Sequence, residues 1–269
     1  MNALASSFND MGLHDPPLHR TDTCEVHGEY QAKCHMRTIW TKCPTCSKER
    51  WDAEAAKKAE EAKAESIALW QRKLGWAGIP DRFHERTLAS YKATTDEQRT
   101  ALSFAQEYAD GFDAVSQTGR SAVFVGKPGT GKTHLAVGIA LDVMGQWNGS
   151  ALFTTAMRAL RRVKGTWARG SEESETQAIE ALVFPDLLIL DEVGVQFGSD
   201  TEKMILFDIL NERYERRKPT ILLSNLTVDE VKGYLGERIF DRMREDGGRV
   251  VVFDWASYRG QAGNQDGGR

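Results

Sequence analysis

From Ala122 to Phe253 the chain repeats one pattern, a short apolar run followed by a longer mixed stretch. The runs Ala122–Val125, Ala151–Thr154, Leu187–Leu190, Thr220–Leu223 and Val250–Phe253 predict strands. Leu187–Leu190 holds no polar residue, as expected of a strand covered on both faces. Between the runs, Lys132–Gln146, Arg158–Thr166, Lys203–Arg216 and Val228–Leu235 predict helices, while Ala168–Gln177 reads as a polar segment. Thr95–Asp113 predicts a further helix, with Thr95 or Asp96 as its N-cap. Strands alternating with helices imply an α/β domain, a parallel sheet flanked by helices.

The first third of the chain differs. Residues 1–20 hold Pro16, Pro17 and small polar residues and read as a flexible arm. Residues 48–74, rich in Ala, Glu and Lys and free of Pro, predict a helix charged nearly all round. Ile67, Trp70 and Leu74 add a short apolar stripe near its end. The expected domains are therefore the arm at 1–20, a Cys/His module plus helix at 21–75, a linker at 76–95, the α/β domain at 96–260 and a disordered tail at 261–269.

Composition is that of a globular protein, with 41% hydrophobic and 28% charged residues among 269. The net charge of −4 offers no global basic field, so nucleic acid would have to be met by local patches. No apolar run approaches the roughly 20 residues of a membrane span. The N-terminal segment lacks the basic and apolar regions of a secretion signal. A cytoplasmic location is expected.

Strand 122–125 leads into Gly126–Thr133, GKPGTGKT, which fits the phosphate-binding loop G-x-x-x-x-G-K-[ST] at every fixed position. Gly126, Gly129 and Gly131, with Lys127, Pro128 and Thr130 between them, let backbone amides converge on phosphate oxygens at a helix N-terminus. Lys132 reaches the β- and γ-phosphates, and Thr133 offers a hydroxyl to magnesium. Leu187–Leu190 ends in Asp191–Glu192. Asp191 suits the magnesium shell and Glu192 suits polarising the attacking water. Strand 220–223 ends in Ser224–Asn225; Asn225 serves a turn or, in this order of elements, the water-positioning sensor of an AAA+ module.

All four cysteines fall between Cys24 and Cys46. Cys24-x2-His27 and Cys43-x2-Cys46, fifteen residues apart, are close to zinc-finger spacing. Thiolates and imidazole suit tetrahedral zinc. Pro44 and Gly28 suit tight turns around such a site. Cys34 and His35 are spare candidates, so the ligand set stays open.

With these elements in place, Ile79–Gly260 resembles the DnaC/DnaI family of replicative helicase loaders, AAA+ ATPases related to IstB-type transposition helpers and to the initiator DnaA. The stretches LLILDEVGVQ, LLSNL, LGERIFDRMRE and VFDWASYRG carry the resemblance. It implies an AAA+ P-loop fold, slow DNA-stimulated ATP hydrolysis and self-association. It places Arg242 as an arginine finger acting on a neighbour's nucleotide, Arg238 beside it, and Arg259 as a second sensor in its own subunit. It also implies contact with single-stranded DNA, for which Arg158, Arg161, Arg162, Lys164 and Trp167 are suited by charge and an aromatic face; a solvated basic helix with a packing Trp is the alternative. By the same resemblance, residues 1–75 would grip a DnaB-type helicase. A zinc-binding N-terminus resembles the DnaI pattern and the FDWASYRG ending the DnaC pattern. ATP, Mg²⁺ and Zn²⁺ are the expected cofactors. Two rival readings remain, an IstB-type transposition helper and a zinc-dependent nucleic-acid-binding adaptor with a silent ATPase.

Overall fold

A computed structural model describes residues 18–35, 38–195 and 199–258, the side chain of His35 excepted. The arm before Leu18, the tail after Tyr258 and the predicted second sensor Arg259 lie outside the described residues. The chain divides into two compact units, Met1–Trp70 and Gln71–Arg269.

The first unit holds a three-stranded antiparallel sheet, β1 (Leu18–Cys24), β2 (Gly28–His35) and β3 (Ile39–Trp40), in that order. Leu18–Arg20, assigned to the arm from sequence, belong to β1. Cys24 pairs with Gly28, so Glu25, Val26 and His27 form the hairpin turn. Helix α1 (Pro44–Trp76) follows and continues into the second unit. Pro44 does not close a knuckle turn as expected; it is the first residue of α1, where its missing N–H costs nothing. Residues Ser47–Leu69 are all exposed. Ion pairs Glu54–Lys58 at 3.0 Å and Lys57–Glu61 at 3.8 Å run along this surface.

The second unit is built on a five-stranded parallel sheet, β4 (Ala122–Gly126), β5 (Ala151–Thr155), β6 (Leu187–Asp191), β7 (Thr220–Ser224) and β8 (Arg249–Phe253). Its spatial order is β5-β6-β7-β4-β8. Around it lie α2 (Asp96–Asp110), α3 (Phe112–Thr118), α4 (Lys132–Gln146), α5 (Ala156–Gly165), α6 (Glu175–Val183), α7 (Asp200–Glu215), α8 (Val228–Leu235) and α9 (Glu237–Arg242). Strands β6 and β7 are buried on both faces, which explains why they read as unbroken apolar runs.

Three differences from the sequence reading have local causes. The helix expected at 95–113 breaks at Gly111 into α2 and α3. Thr95 caps α2 through a reciprocal box with Gln98. The polar segment 168–177 contains the start of α6, because Ser174 and Gln177 form another such box. The stretch expected as a linker is packed into the second unit: Ala77, Ile79, Leu88 and Tyr91 are buried, and the Phe153 amide donates to the Ala77 carbonyl at 2.7 Å. That bond covers the open edge of β5. No described helix is long and apolar enough to cross a membrane.

Candidate nucleotide site and metal cluster

Parallel strands all end on one edge of the sheet, and that edge collects the candidate residues. The loop after β4 turns through Gly126, Gly129 and Gly131 at φ of 127°, 77° and 101°. A side chain at Gly126 would meet the Phe253 carbonyl oxygen at 2.3 Å, and one at Gly131 the Tyr91 ring at 2.7 Å. Only glycine satisfies both the backbone sign and the space. Lys132 begins α4 and is buried. Its ammonium donates to the carbonyls of Gly126 at 2.6 Å and Lys127 at 2.7 Å.

The Thr133 hydroxyl donates to Asp191 Oδ2 at 3.2 Å, joining α4 to the end of β6. Neighbouring oxygens of an octahedral magnesium shell at about 2.1 Å lie about 3 Å apart. The pair therefore fits that ion. Burial raises the Asp191 pKa, opposed by bonds from the Glu192 amide and Thr133. A carboxyl whose pKa is raised by the fold destabilises the fold once it ionises, so at neutral pH its charge opposes folding of the empty protein. Asp191→Asn is expected to raise the melting temperature without nucleotide and to abolish the further rise produced by Mg²⁺–ATP. Thermal denaturation with and without both ligands checks this, and an unchanged Mg²⁺–ATP response would overturn it.

Glu192 is exposed at φ 59°, a left-handed backbone that turns the chain sharply after Asp191. Its amide donates to Asp191 Oδ1 at 2.7 Å. The turn is tied to β7: the Val193 amide donates to Leu223 O at 3.0 Å, and Ser224 Oγ donates to Val193 O at 2.6 Å. Ser224 was not singled out from sequence, where its only signal is a hydroxyl directly after a buried strand. Asn225 is exposed just beyond β7, which lies between β4 and β6.

An aromatic clasp over the loop was also missed. Trp255 Nε1 donates to Thr130 O at 2.9 Å, and the Tyr258 amide donates to Gly129 O at 2.9 Å. Tyr258 OH donates to Lys92 O at 2.5 Å, and its ring meets Tyr91 edge-on at 6.4 Å. Lys127 pairs with Asp254 at 2.7 Å. The aromatics of SYKATT and FDWASYRG were the available signal.

Arg242, on α9, donates to Asn211 Oδ1 and lies 4.5 Å above the Tyr214 ring, both on α7. Arg238 is exposed, 5.7 Å from the Phe207 ring. The candidate DNA residues separate. Arg162 pairs with Glu173 at 2.6 Å, Lys164 with Glu202 at 2.7 Å, and Trp167 Nε1 donates to Glu175 at 2.6 Å. The side chains of Arg158 and Arg161 are exposed, with no ion-pair partner among the described residues. The Trp167 ring remains 52% exposed.

In the first unit, Cys24 and His27 flank the hairpin turn. Cys43 accepts the first helical bond of α1 from Ser47 N, at 2.9 Å, and Cys46 lies in the first turn. The four ligand atoms lie within 4.8 Å of one another. Cys24 Sγ is 3.5 Å from Cys46 Sγ, and His27 Nδ1 is 3.2 Å from Cys46 Sγ and 3.8 Å from Cys24 and Cys43. Tetrahedral zinc with bonds of about 2.0–2.3 Å separates its ligands by about 3.5–3.8 Å, so the donor set fits zinc. Cys34 is buried and not part of the cluster. Backbone amides of His27 and Val26 lower the Cys24 pKa to about 6, while Cys46, sharing its hydrogen bond, is raised to about 11.

His27 Nε2 meets Glu49 Oε1 at 3.2 Å, leaving Nδ1 to face the thiols. A carboxylate in that place fixes the tautomer and strengthens the ligand. Glu49→Ala is expected to weaken zinc affinity by about 10-fold or more. Competition with a chromogenic chelator measures it; an unaltered zinc affinity would count against the arrangement.

The family model for IstB-like ATP binding protein matches residues 77–265. The replicative helicase loader DnaC of Escherichia coli (strain K12) is 37% identical over 189 residues, covering 70% of this chain and 75% of that protein. The DnaC loader of Buchnera aphidicola subsp. Acyrthosiphon pisum (strain APS) is 35% identical over 213 residues, covering 78% and 84%. A crystal structure of the DnaC helicase loader superposes with a TM-score of 0.58 at 24% identity, over 65% of this chain and 99% of that one.

Proposed function

The chain belongs to the IstB-like ATP-binding family, with the DnaC helicase loaders, and on that premise we propose that it delivers a DnaB-type replicative helicase to single-stranded DNA. The observation that carries the reading is the 37% identity to a DnaC loader over 189 residues, beside a family match over residues 77–265, the stretch that holds α9.

The amides of Gly126–Thr133 and the Lys132 ammonium hold the ATP phosphates. Thr133 and Asp191 would hold magnesium, which would supply charge neutralisation at the phosphates. Glu192 and Asn225 orient the attacking water from the ends of β6 and β7. Arg242, with Arg238 beside it, approaches the nucleotide of a neighbouring copy; Arg259 serves the chain's own nucleotide. A guanidinium supplied in this way stabilises the charge that builds on the transferred phosphoryl group. Assembly thus depends on ATP, and hydrolysis ends it. Arg158 and Arg161 contact DNA phosphates and the Trp167 face stacks a base. The Cys24, His27, Cys43 and Cys46 module, held by zinc, carries the helicase-binding surface with α1.

Co-purification with the DnaB-type helicase of the same host tests the proposal. The intact chain is expected to retain the helicase, and a chain beginning at Gln71 to lose it while still binding ATP. No retention by the intact chain would leave a DNA-linked ATPase and end the loader reading.

A further inference from the structure

Helix α9 is anchored by Ile239 and Phe240, and Met243 follows at its end; all three are buried. Arg238 and Arg242, one turn apart, therefore project along α7. Several described arginines end on carboxylates: Arg20 on Asp22, Arg99 on Asp96, Arg120 on Glu107, Arg162 on Glu173 and Arg216 on Glu180. Arg242 is different. It is half-buried, yet no described carboxylate pairs with it. Its contacts are the Asn211 side-chain oxygen and the face of Tyr214.

Two carboxylates stand close by, and each is engaged by the neutral group in between. Glu215 accepts from Asn211 Nδ2 at 2.7 Å, which turns the Asn211 oxygen toward Arg242. Glu245 accepts from the Tyr214 hydroxyl at 2.5 Å, which fixes the ring beneath the guanidinium. An amide and an aromatic face orient a guanidinium without cancelling its charge. A carboxylate would orient it too, but would spend that charge in an ion pair that must break before a phosphate is met.

We propose that Asn211 and Tyr214 form a neutral cradle that positions Arg242 for the nucleotide of a neighbouring copy and keeps its charge available. Glu215 and Glu245 hold the cradle in orientation. The inference rests on the reading of Arg242 as a residue that acts across copies. Asn211 and Tyr214 are positioning residues and touch no nucleotide themselves.

Mixed assemblies separate the two ideas. A Lys132→Ala chain lacks its own phosphate grip but retains Arg242; an Arg242→Ala chain binds ATP but lacks the guanidinium. Each alone is expected to be nearly inactive, and their mixture to recover phosphate release. Adding Tyr214→Ala or Asn211→Asp to the Lys132→Ala donor is expected to cut that recovery about 10-fold or more, the loss of one oriented charged contact. Tyr214→Phe, which keeps the ring, is expected to stay within about threefold. The same substitutions placed in the Arg242→Ala acceptor are expected to leave recovery and the KM for ATP unchanged. Asn211→Asp adds an ion pair but loses the donor to Glu215, so it is made together with Glu215→Gln, which restores a donor at that contact; a merely structural role then predicts no loss. If Tyr214→Ala fails to fold, Asn211→Asp with Glu215→Gln carries the test. No recovery in the parent mixture would overturn the trans reading and the cradle with it. Full recovery with donors carrying Asn211→Asp and Glu215→Gln would overturn the cradle alone.

Discussion

Replacing Lys132 with Ala is expected to lower ATP turnover by about 10²–10³-fold, the cost of one oriented donor to a developing phosphate charge. The side chain is nearly enclosed, and its ammonium bridges the consecutive carbonyls of Gly126 and Lys127 at the start of the loop. The ammonium is thus held at the mouth of the glycine nest before any phosphate arrives. The loop itself has other supports: Trp255 and Tyr258 bind the Thr130 and Gly129 carbonyls, and Thr130 Oγ1 donates to Lys127 O at 2.8 Å. The variant is therefore expected to fold. Saturation by ATP at 100 times Kd adds about 2.7 kcal/mol to a binding protein. The parent chain should show that thermal stabilisation with Mg²⁺–ATP and the Lys132→Ala chain should not. Turnover within threefold of the parent would be incompatible with the site described.

The largest effect on stability is expected at Arg213, to which no chemistry is assigned. This α7 residue is 1% exposed. Nη1 donates to the carbonyls of Leu182, Val183 and Pro185 at 3.1, 2.8 and 2.9 Å. Nη2 donates to Pro219 O at 2.7 Å and Nε to Thr220 Oγ1 at 2.9 Å. Leu182 and Val183 end α6, where helix carbonyls lack internal partners and a cation complements the dipole. Pro185 leads into β6, and Pro219 leads into β7. One side chain thus joins three elements. Burial lowers its pKa to about 9, so it stays charged at neutral pH. Arg213→Leu removes this donor from the Leu182, Val183 and Pro185 carbonyls, while Pro219 O keeps the Leu188 amide, and is expected to cost about 3–5 kcal/mol, since each buried carbonyl left unpaired costs about 1–3 kcal/mol. For a domain of this size that lowers Tm by about 6–20 °C. Arg213→Lys, a single ammonium without the fork, should fall between. Calorimetry of the three chains checks the order; a Leu variant within 2 °C of the parent would refute it.

Much of the fold could be read from the chain because its determinants are local. Lys132–Gln146 and Val228–Leu235 are helices with the bounds expected from the pattern, and each strand of the parallel sheet was expected to within one residue of its ends, whereas β1, β2 and β3 were not expected. Helix α6 was missed because a capping box, not an apolar stripe, starts it in a polar segment. The packed segment after α1 was missed because Ile79, Leu88 and Tyr91 are too sparse to make a period.

By itself, the sequence determined the class of the second unit and the phosphate-loop motif, and it narrowed the metal cluster to six candidate residues, of which the structure gathers Cys24, His27, Cys43 and Cys46. Glycine spacing, apolar runs and ligand spacing act over a few neighbouring positions, where covalent geometry restricts the outcome. Tertiary structure alone decided what each candidate side chain meets. It joined Thr133 to Asp191 across 58 positions. It tied Arg162, Lys164 and Trp167 to acidic residues while leaving Arg158 and Arg161 exposed. It set Arg242 on an amide and a ring rather than a carboxylate. Such pairings depend on which helices the sheet brings side by side. Charge and hydrogen-bonding capacity are written in each residue, but the partner that uses them is chosen only when distant segments meet.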